Sequence, residues 1–133
     1  MGVSAGVLSG CGLLDRAEPE PEPDPLLPLL RQTVALVSAY EGFLAAHPER
    51  AARLDPLRET HAAHVTALSA VVVQPSAGPS AAPSAAPATL AELKALESAA
   101  AKSAYEACLA TTAERATLLG EIAAARATHV VAL

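Results

Sequence analysis

The segment Arg58–Leu68, RETHAAHVTAL, decides the fold predicted for this chain of 133 residues. Read as a helix, it belongs to a seam of inward positions that recur three and four residues apart: Leu54, Leu57, His61, His64, Leu68 and Val71. That spacing is typical of a helix that buries one stripe in a bundle. Because two of the inward positions hold histidine, the interior should contain polar groups that other helices must satisfy.

The composition favours an all-α chain. Hydrophobic residues make up 52% of the sequence and aromatic residues only 2%. A core of alanine, leucine and valine suits close helix packing, whereas a β-sandwich needs β-branched and aromatic side chains. We therefore predict an all-α four-helix bundle over residues 26–133, with helices at about 25–46, 49–70, from 89 and from 113 to the C-terminus.

The connections between these helices predict two antiparallel helix pairs joined by a long linker. His47-Pro48 ends the first helix and Thr111-Thr112 separates the last two, and such short turns make neighbouring helices antiparallel. Residues 74–88 are a low-complexity linker rich in proline, alanine and serine, after which Thr89 and Glu92 form a predicted capping box. The linker is long enough for up-down-down-up or up-down-up-down topology.

The N-terminal region is predicted to attach the bundle to a membrane. Leu8-Ser9-Gly10-Cys11 resembles a bacterial lipobox, in which the cysteine is lipidated after the leader is removed. Residues 1–11 are then a truncated signal peptide, since no lysine or arginine precedes Cys11, and residues 12–25 are an acidic, proline-rich tether. The chain is thus expected on the extracytoplasmic side of the cell membrane. The alternative is a flexible tail with an incidental cysteine.

Charge and motifs exclude several classes of function. The net charge is −5 and no basic patch is present, so nucleic acid is not expected as a partner. The sequence contains no glycine-rich phosphate loop and no serine nucleophile elbow. Cys108 has no base beside it in sequence and is interpreted as a buried, inert thiol. These features favour a protein that is not an enzyme.

Candidate site residues occupy inward positions on at least three helices. They are His61 and His64 on the second helix, Glu97 on the third, and Arg126 and His129 on the fourth. The first helix has two adjacent stripes: one would add Glu41 as an uncertain member, and the other passes through Thr33 and Tyr40.

Burying these groups without partners would cost several kcal/mol each. The simplest solution is an ion pair between Glu97 and Arg126, with the histidines hydrogen bonded to it. That layer needs no cofactor. Two alternatives stay open: a single ion such as zinc held by the three histidines and Glu97, or a di-iron centre.

These features resemble a ferritin-like four-helix domain of the kind found in actinobacterial lipoproteins. Metal-loaded members of that family take one Glu from each of two helices and Glu-x-x-His from each of the other two. Glu97 matches one single Glu, whereas His61 and Arg126 stand where the paired motifs have Glu. The resemblance therefore implies a degenerate metal site.

The function predicted from this resemblance is a non-enzymatic binding or scaffolding module tethered to the envelope. A metal-binding redox or storage protein, using zinc or iron, is the alternative. A second copy of the chain and another envelope protein both remain open as partners.

Overall fold

The computed structural model of the protein describes residues 22–74 and 85–133. Within these ranges the chain forms helices and connections without any strand, which confirms the predicted all-α four-helix bundle. The helices are α1 (Leu27–Ala46), α2 (Ala51–Val71), α3 (Leu90–Ala110) and α4 (Ala113–Ala132), with a 3-10 turn at Pro48–Arg50 before α2. The lipobox-like segment, most of the tether and the middle of the linker lie outside the described residues.

Local sequence explains where the helices begin and end. Thr89 caps α3 as predicted: its hydroxyl accepts a hydrogen bond from the Glu92 backbone N–H, and the Glu92 carboxylate accepts one from the Thr89 N–H. The residue before Pro48 leaves helical geometry, which ends α1. Pro56 lies inside α2, whose first residue is Ala51.

Contacts at the two ends of the bundle establish its topology. At one end, Asp24 before α1 contacts Val73 after α2 and Arg115 in the first turn of α4. At the other end, His47 after α1 lies 3.4 Å from the carbonyl oxygen of Ala88, just before α3. Helices α1 and α4 therefore run in one direction and α2 and α3 in the other, which is the up-down-down-up arrangement. Neighbouring helices are all antiparallel, and α2 and α3 are diagonal to each other.

The Asp24 carboxylate connects the helices by hydrogen bonds at the end of the bundle where α1 begins. It accepts hydrogen bonds from the backbone N–H groups of Leu26 and Val73, at 2.9 and 3.0 Å, and from both terminal guanidinium nitrogens of Arg115, each at 2.9 Å. The Arg115 hydrogen bonds are the main cause that lowers the Asp24 pKa from 3.8 to about 2. Three helices are thereby joined by a single buried side chain.

The C-terminal end of the linker packs closely against α1. A Cβ atom added at Gly42 would lie 2.5 Å from the Cβ of Ala86, closer than real side chains approach. Glycine at this position therefore lets residue 86 contact the surface of α1.

Two apolar clusters fill the interior, one toward each end of the bundle. The cluster near Asp24 contains Leu26, Leu27, Leu29, Leu30, Leu68, Val72, Ala104, Leu119 and Ile122. The cluster near His47 contains Tyr40, Phe43, Leu54 and Leu93. The other buried polar residues lie between these clusters, so the candidate site is a layer across the middle of the bundle: Thr33, His61, Glu97, Arg126 and His129. None of the described helices has the length and apolar character needed to span a bilayer.

Candidate functional site

Glu97 on α3 is the centre of the polar layer. Its side chain is completely buried. Oε2 accepts a hydrogen bond from the Tyr40 hydroxyl at 2.8 Å and lies 2.9 Å from His61 Nε2. The other oxygen, Oε1, lies 3.5 Å from His129 Nδ1. Side chains from all of the other helices thus approach this one carboxylate.

The two buried histidines contact each other as well as Glu97. His61 Nε2 and His129 Nδ1 are 3.3 Å apart, and the rings meet edge to face with centroids 4.9 Å apart. When both of these nitrogens carry a proton, both can donate toward the Glu97 carboxylate. His61 Nδ1 is buried and has no hydrogen-bond partner among the described residues.

The Glu97 carboxylate is held in its ionised form. Burial alone would raise its pKa, but the nitrogens of His129 and His61 and the Tyr40 hydroxyl favour the charged form and bring the pKa down from 4.5 to about 2. Burial, together with the negative charge of Glu97, raises the pKa of Tyr40 far above its ordinary value, so the phenol stays protonated as a donor.

Arg126 on α4 is also fully buried, but it does not form the predicted ion pair with Glu97. Its Nη1 donates to the carbonyl oxygen of Ala100 at 3.1 Å and its Nη2 donates to the Thr33 hydroxyl at 2.5 Å. Within the described residues, the side-chain nitrogens that lie within 4.0 Å of the Glu97 carboxylate are those of His61 and His129.

The position of Arg126 on α4 explains why it does not pair with Glu97. Arg126 lies about one helical turn from His129, and the histidines and Tyr40 already occupy the approaches to the carboxylate. Burial lowers the Arg126 pKa to about 10, and the negative charge of Glu97 opposes that shift. Arg126 is therefore a charge partner of Glu97 across the interior without contacting it.

His64 lies next to the layer but outside the group of converging donor atoms. It is buried only in part, and its ring centroid is 6.0 Å from that of His61. Burial, and then the positive charge of Arg126, lowers its pKa from 6.5 to about 4, so it is neutral near neutral pH. The four-residue ligand set predicted from the sequence is thus brought together only as His61, Glu97 and His129, whose donor atoms all lie within 4.8 Å of one another.

The first helix contributes Tyr40 and Thr33 instead of Glu41. Glu41 is exposed, whereas Tyr40 and Thr33 are completely buried. The buried stripe of α1 is the one that passes through these two residues, and one position along a helix turns a side chain by about 100°. The sequence placed Tyr40 on one of two possible inward stripes, but it gave no sign that the Tyr40 hydroxyl donates to Glu97. Cys11, the predicted lipidation site, lies outside the described residues.

Comparison with known proteins yields no relative: no family model, no curated protein and no solved structure matches the chain. Functional inference consequently depends on the site itself.

Proposed function

We propose that this chain is a non-enzymatic binding module of the cell envelope. In this proposal it is a ferritin-like four-helix domain, held on the extracytoplasmic side of the membrane by a lipid on Cys11. Three features support it: the lipobox-like segment before Cys11, the acidic tether that follows, and the up-down-down-up arrangement of the described helices with a long crossover linker.

The composition of the polar layer carries the non-enzymatic part of the proposal. Within residues 22–74 and 85–133, Glu97 is the single carboxylate that lies with the buried histidines, and Arg126 places a guanidinium in the same interior. A dinuclear iron centre of the ferritin-like kind uses about four carboxylates. One carboxylate and a buried cation cannot balance the charge of two iron ions, so this donor set does not fit a di-iron oxidase.

The outer surface supports a role in binding another macromolecule. Tyr105 and Leu109 lie one turn apart on α3 and are 59% and 70% exposed. We propose that this pair is part of the surface that a partner contacts. Light scattering over a range of concentrations distinguishes a second copy of the chain, which would raise the measured mass, from another envelope protein, which would not.

Three measurements test the proposal. Mass spectrometry of the protein from its native cell should find a cleaved and acylated Cys11, and Cys11→Ala should move the protein from the membrane to the soluble fraction. An intact, unmodified N-terminus would refute the tether. Chelator-stripped protein mixed with ferrous iron and then oxygen should neither take up two ions per chain nor consume oxygen faster than the same iron solution without protein; doing both would refute the non-enzymatic assignment.

A further inference from the structure

We infer that the polar layer binds one transition-metal ion of the zinc class through His61, Glu97 and His129. This inference deepens the proposed function by naming what the interior of the module binds, and it does not require the lipid tether. The three side chains come from α2, α3 and α4 and are 0%, 0% and 6% exposed. Three helices packed together therefore hold the donor atoms in place before any ion arrives.

The distances between these donor atoms match the edges of a small coordination polyhedron. His61 Nε2 lies 2.9 Å from one carboxylate oxygen, Glu97 Oε2, and 3.3 Å from His129 Nδ1, which lies 3.5 Å from the other carboxylate oxygen, Oε1. With one ligand atom taken from each residue, the three donors all lie within 4.8 Å of one another. Zinc bonded to imidazole nitrogen or carboxylate oxygen at about 2.0–2.1 Å in tetrahedral geometry places its donors about 3.3 Å apart. Small side-chain adjustments can therefore bring these donors around one ion, with the carboxylate contributing one oxygen or both.

The hydrogen bonding of the layer is incomplete at the positions where an ion would act. Glu97 Oε1 is buried, and because His129 Nδ1 at 3.5 Å does not meet hydrogen-bond geometry, this oxygen has no hydrogen-bond partner among the described residues. Buried polar atoms are normally satisfied, and an unpaired one costs about 1–3 kcal/mol. An ion among the three donors gives this oxygen a partner, whereas a purely structural network would be expected to satisfy it with a protein group.

Arg126 limits the site to a single, moderately bound ion. Its guanidinium donates to Ala100 and Thr33, so Arg126 itself blocks neither Glu97 oxygen. Its fixed positive charge nevertheless repels a cation in the same interior, where charges interact more strongly than in water. Removing that charge should consequently increase metal affinity, an effect that a disrupted fold would not produce.

The donor types determine which ions are expected. Two imidazoles and one carboxylate are a common three-ligand set for zinc and related first-row ions, whereas magnesium and calcium prefer oxygen ligands. Cobalt(II) is a suitable probe because it accepts the same ligands and absorbs visible light when four-coordinate.

The test is a titration of the full chain, stripped with chelator, by Zn²⁺ in a calorimeter and by Co²⁺ in a spectrophotometer. We expect one ion per chain, and Glu97→Gln, which keeps the shape of the side chain, should weaken binding by about 100-fold or more. His129→Ala should do the same. Arg126→Met should tighten binding by at least about tenfold. His47→Ala is the matched control and should leave the metal affinity and the stoichiometry unchanged, because His47 is the one histidine of four that lies away from the layer. Circular dichroism confirms that each variant is helical.

Two results would overturn the inference: wild-type and Glu97→Gln proteins that bind Co²⁺ with equal affinity, or an affinity that Arg126→Met does not increase. Either result would leave the non-enzymatic module standing, whereas two iron ions per chain with oxygen consumption would refute both proposals. An unmodified Cys11 would refute only the tether.

Discussion

The effects of replacing Glu97 and Arg126 on the free energy of unfolding should be coupled, even though the two side chains do not touch. Both are completely buried, and the side chains that approach the Glu97 carboxylate are Tyr40 and the histidines His61 and His129. With neutral histidines, one negative and one positive charge make the layer neutral overall. Removing either residue should leave one charge in the interior without compensation, and removing both should restore neutrality.

The expected magnitudes follow from these contacts. Breaking a buried charge pair by deleting one partner typically costs about 3–5 kcal/mol. Because Glu97 and Arg126 lack direct contact, we expect the lower end, about 3 kcal/mol, for each of Glu97→Gln and Arg126→Met. The double variant should cost about 3–4 kcal/mol instead of the sum, about 6, which gives a coupling energy of about 2–3 kcal/mol.

The assay is urea unfolding at neutral pH with chelator present, followed by circular dichroism for the wild type, both single variants and the double variant. Equal slopes in urea across the four proteins justify comparing their free energies of unfolding. Additive single effects, within about 0.5 kcal/mol, would show that Arg126 does not compensate the charge of Glu97 and that the layer is held together by local hydrogen bonds alone.

Three further predictions concern other positions. Asp24→Asn should lower the free energy of unfolding by about 1–2 kcal/mol at neutral pH. Because the pKa of Asp24 is lowered from 3.8 to about 2, the wild type should lose this extra stability as the pH falls through that range. Urea titrations at several pH values should show this loss in the wild type and not in the variant. Folding lowers the pKa of His64 from 6.5 to about 4. As the pH falls, His64 therefore binds a proton in the unfolded chain before it does so in the folded chain. Wild type should therefore lose about 2 kcal/mol more than His64→Leu between these pH values, and His47→Ala should behave like wild type. Gly42→Ala should destabilise by about 1–2 kcal/mol through overlap with the linker, whereas Gly120→Ala, whose added Cβ would lie 3.8 Å from its nearest neighbour, should stabilise by about 0.5–1 kcal/mol. Equal changes in melting temperature for the two glycine variants would contradict this difference.

The helices could be predicted from the sequence because their periodicity and caps are local signals. The Thr89–Glu92 capping box and the break at His47-Pro48 are properties of a few adjacent residues, and both lie where they were expected. Topology could not be predicted, because the linker is long enough for either direction of α3. It depends on contacts between residues far apart in the chain, such as Asp24 with Arg115.

The candidate site was predictable in part for a similar reason. A histidine or glutamate in an otherwise apolar seam is conspicuous, and His61, Glu97 and His129 all lie in the layer. Helix α1 presents two neighbouring stripes, and the sequence could not choose between Glu41 and Tyr40. The partners of Arg126 could not be predicted either. Periodicity shows that Arg126 faces inward, but not whether its long side chain extends toward Glu97 or toward Thr33.

The position of the layer explains why a bundle this rich in alanine retains polar groups in its interior. Helices α2 and α3 are diagonal rather than neighbouring, yet His61 and Glu97 approach to 2.9 Å across the axis. This contact, together with those of Tyr40 with Glu97 and Arg126 with Thr33, links the α1–α2 hairpin to the α3–α4 hairpin, which otherwise meet largely through apolar side chains. Such surfaces pack in several registers at similar free energy, and a buried polar contact penalises every register that leaves it unpaired. A neutral double variant at Glu97 and Arg126 should therefore recover charge balance but not the wild-type stability, because it weakens the contact that aligns the two hairpins.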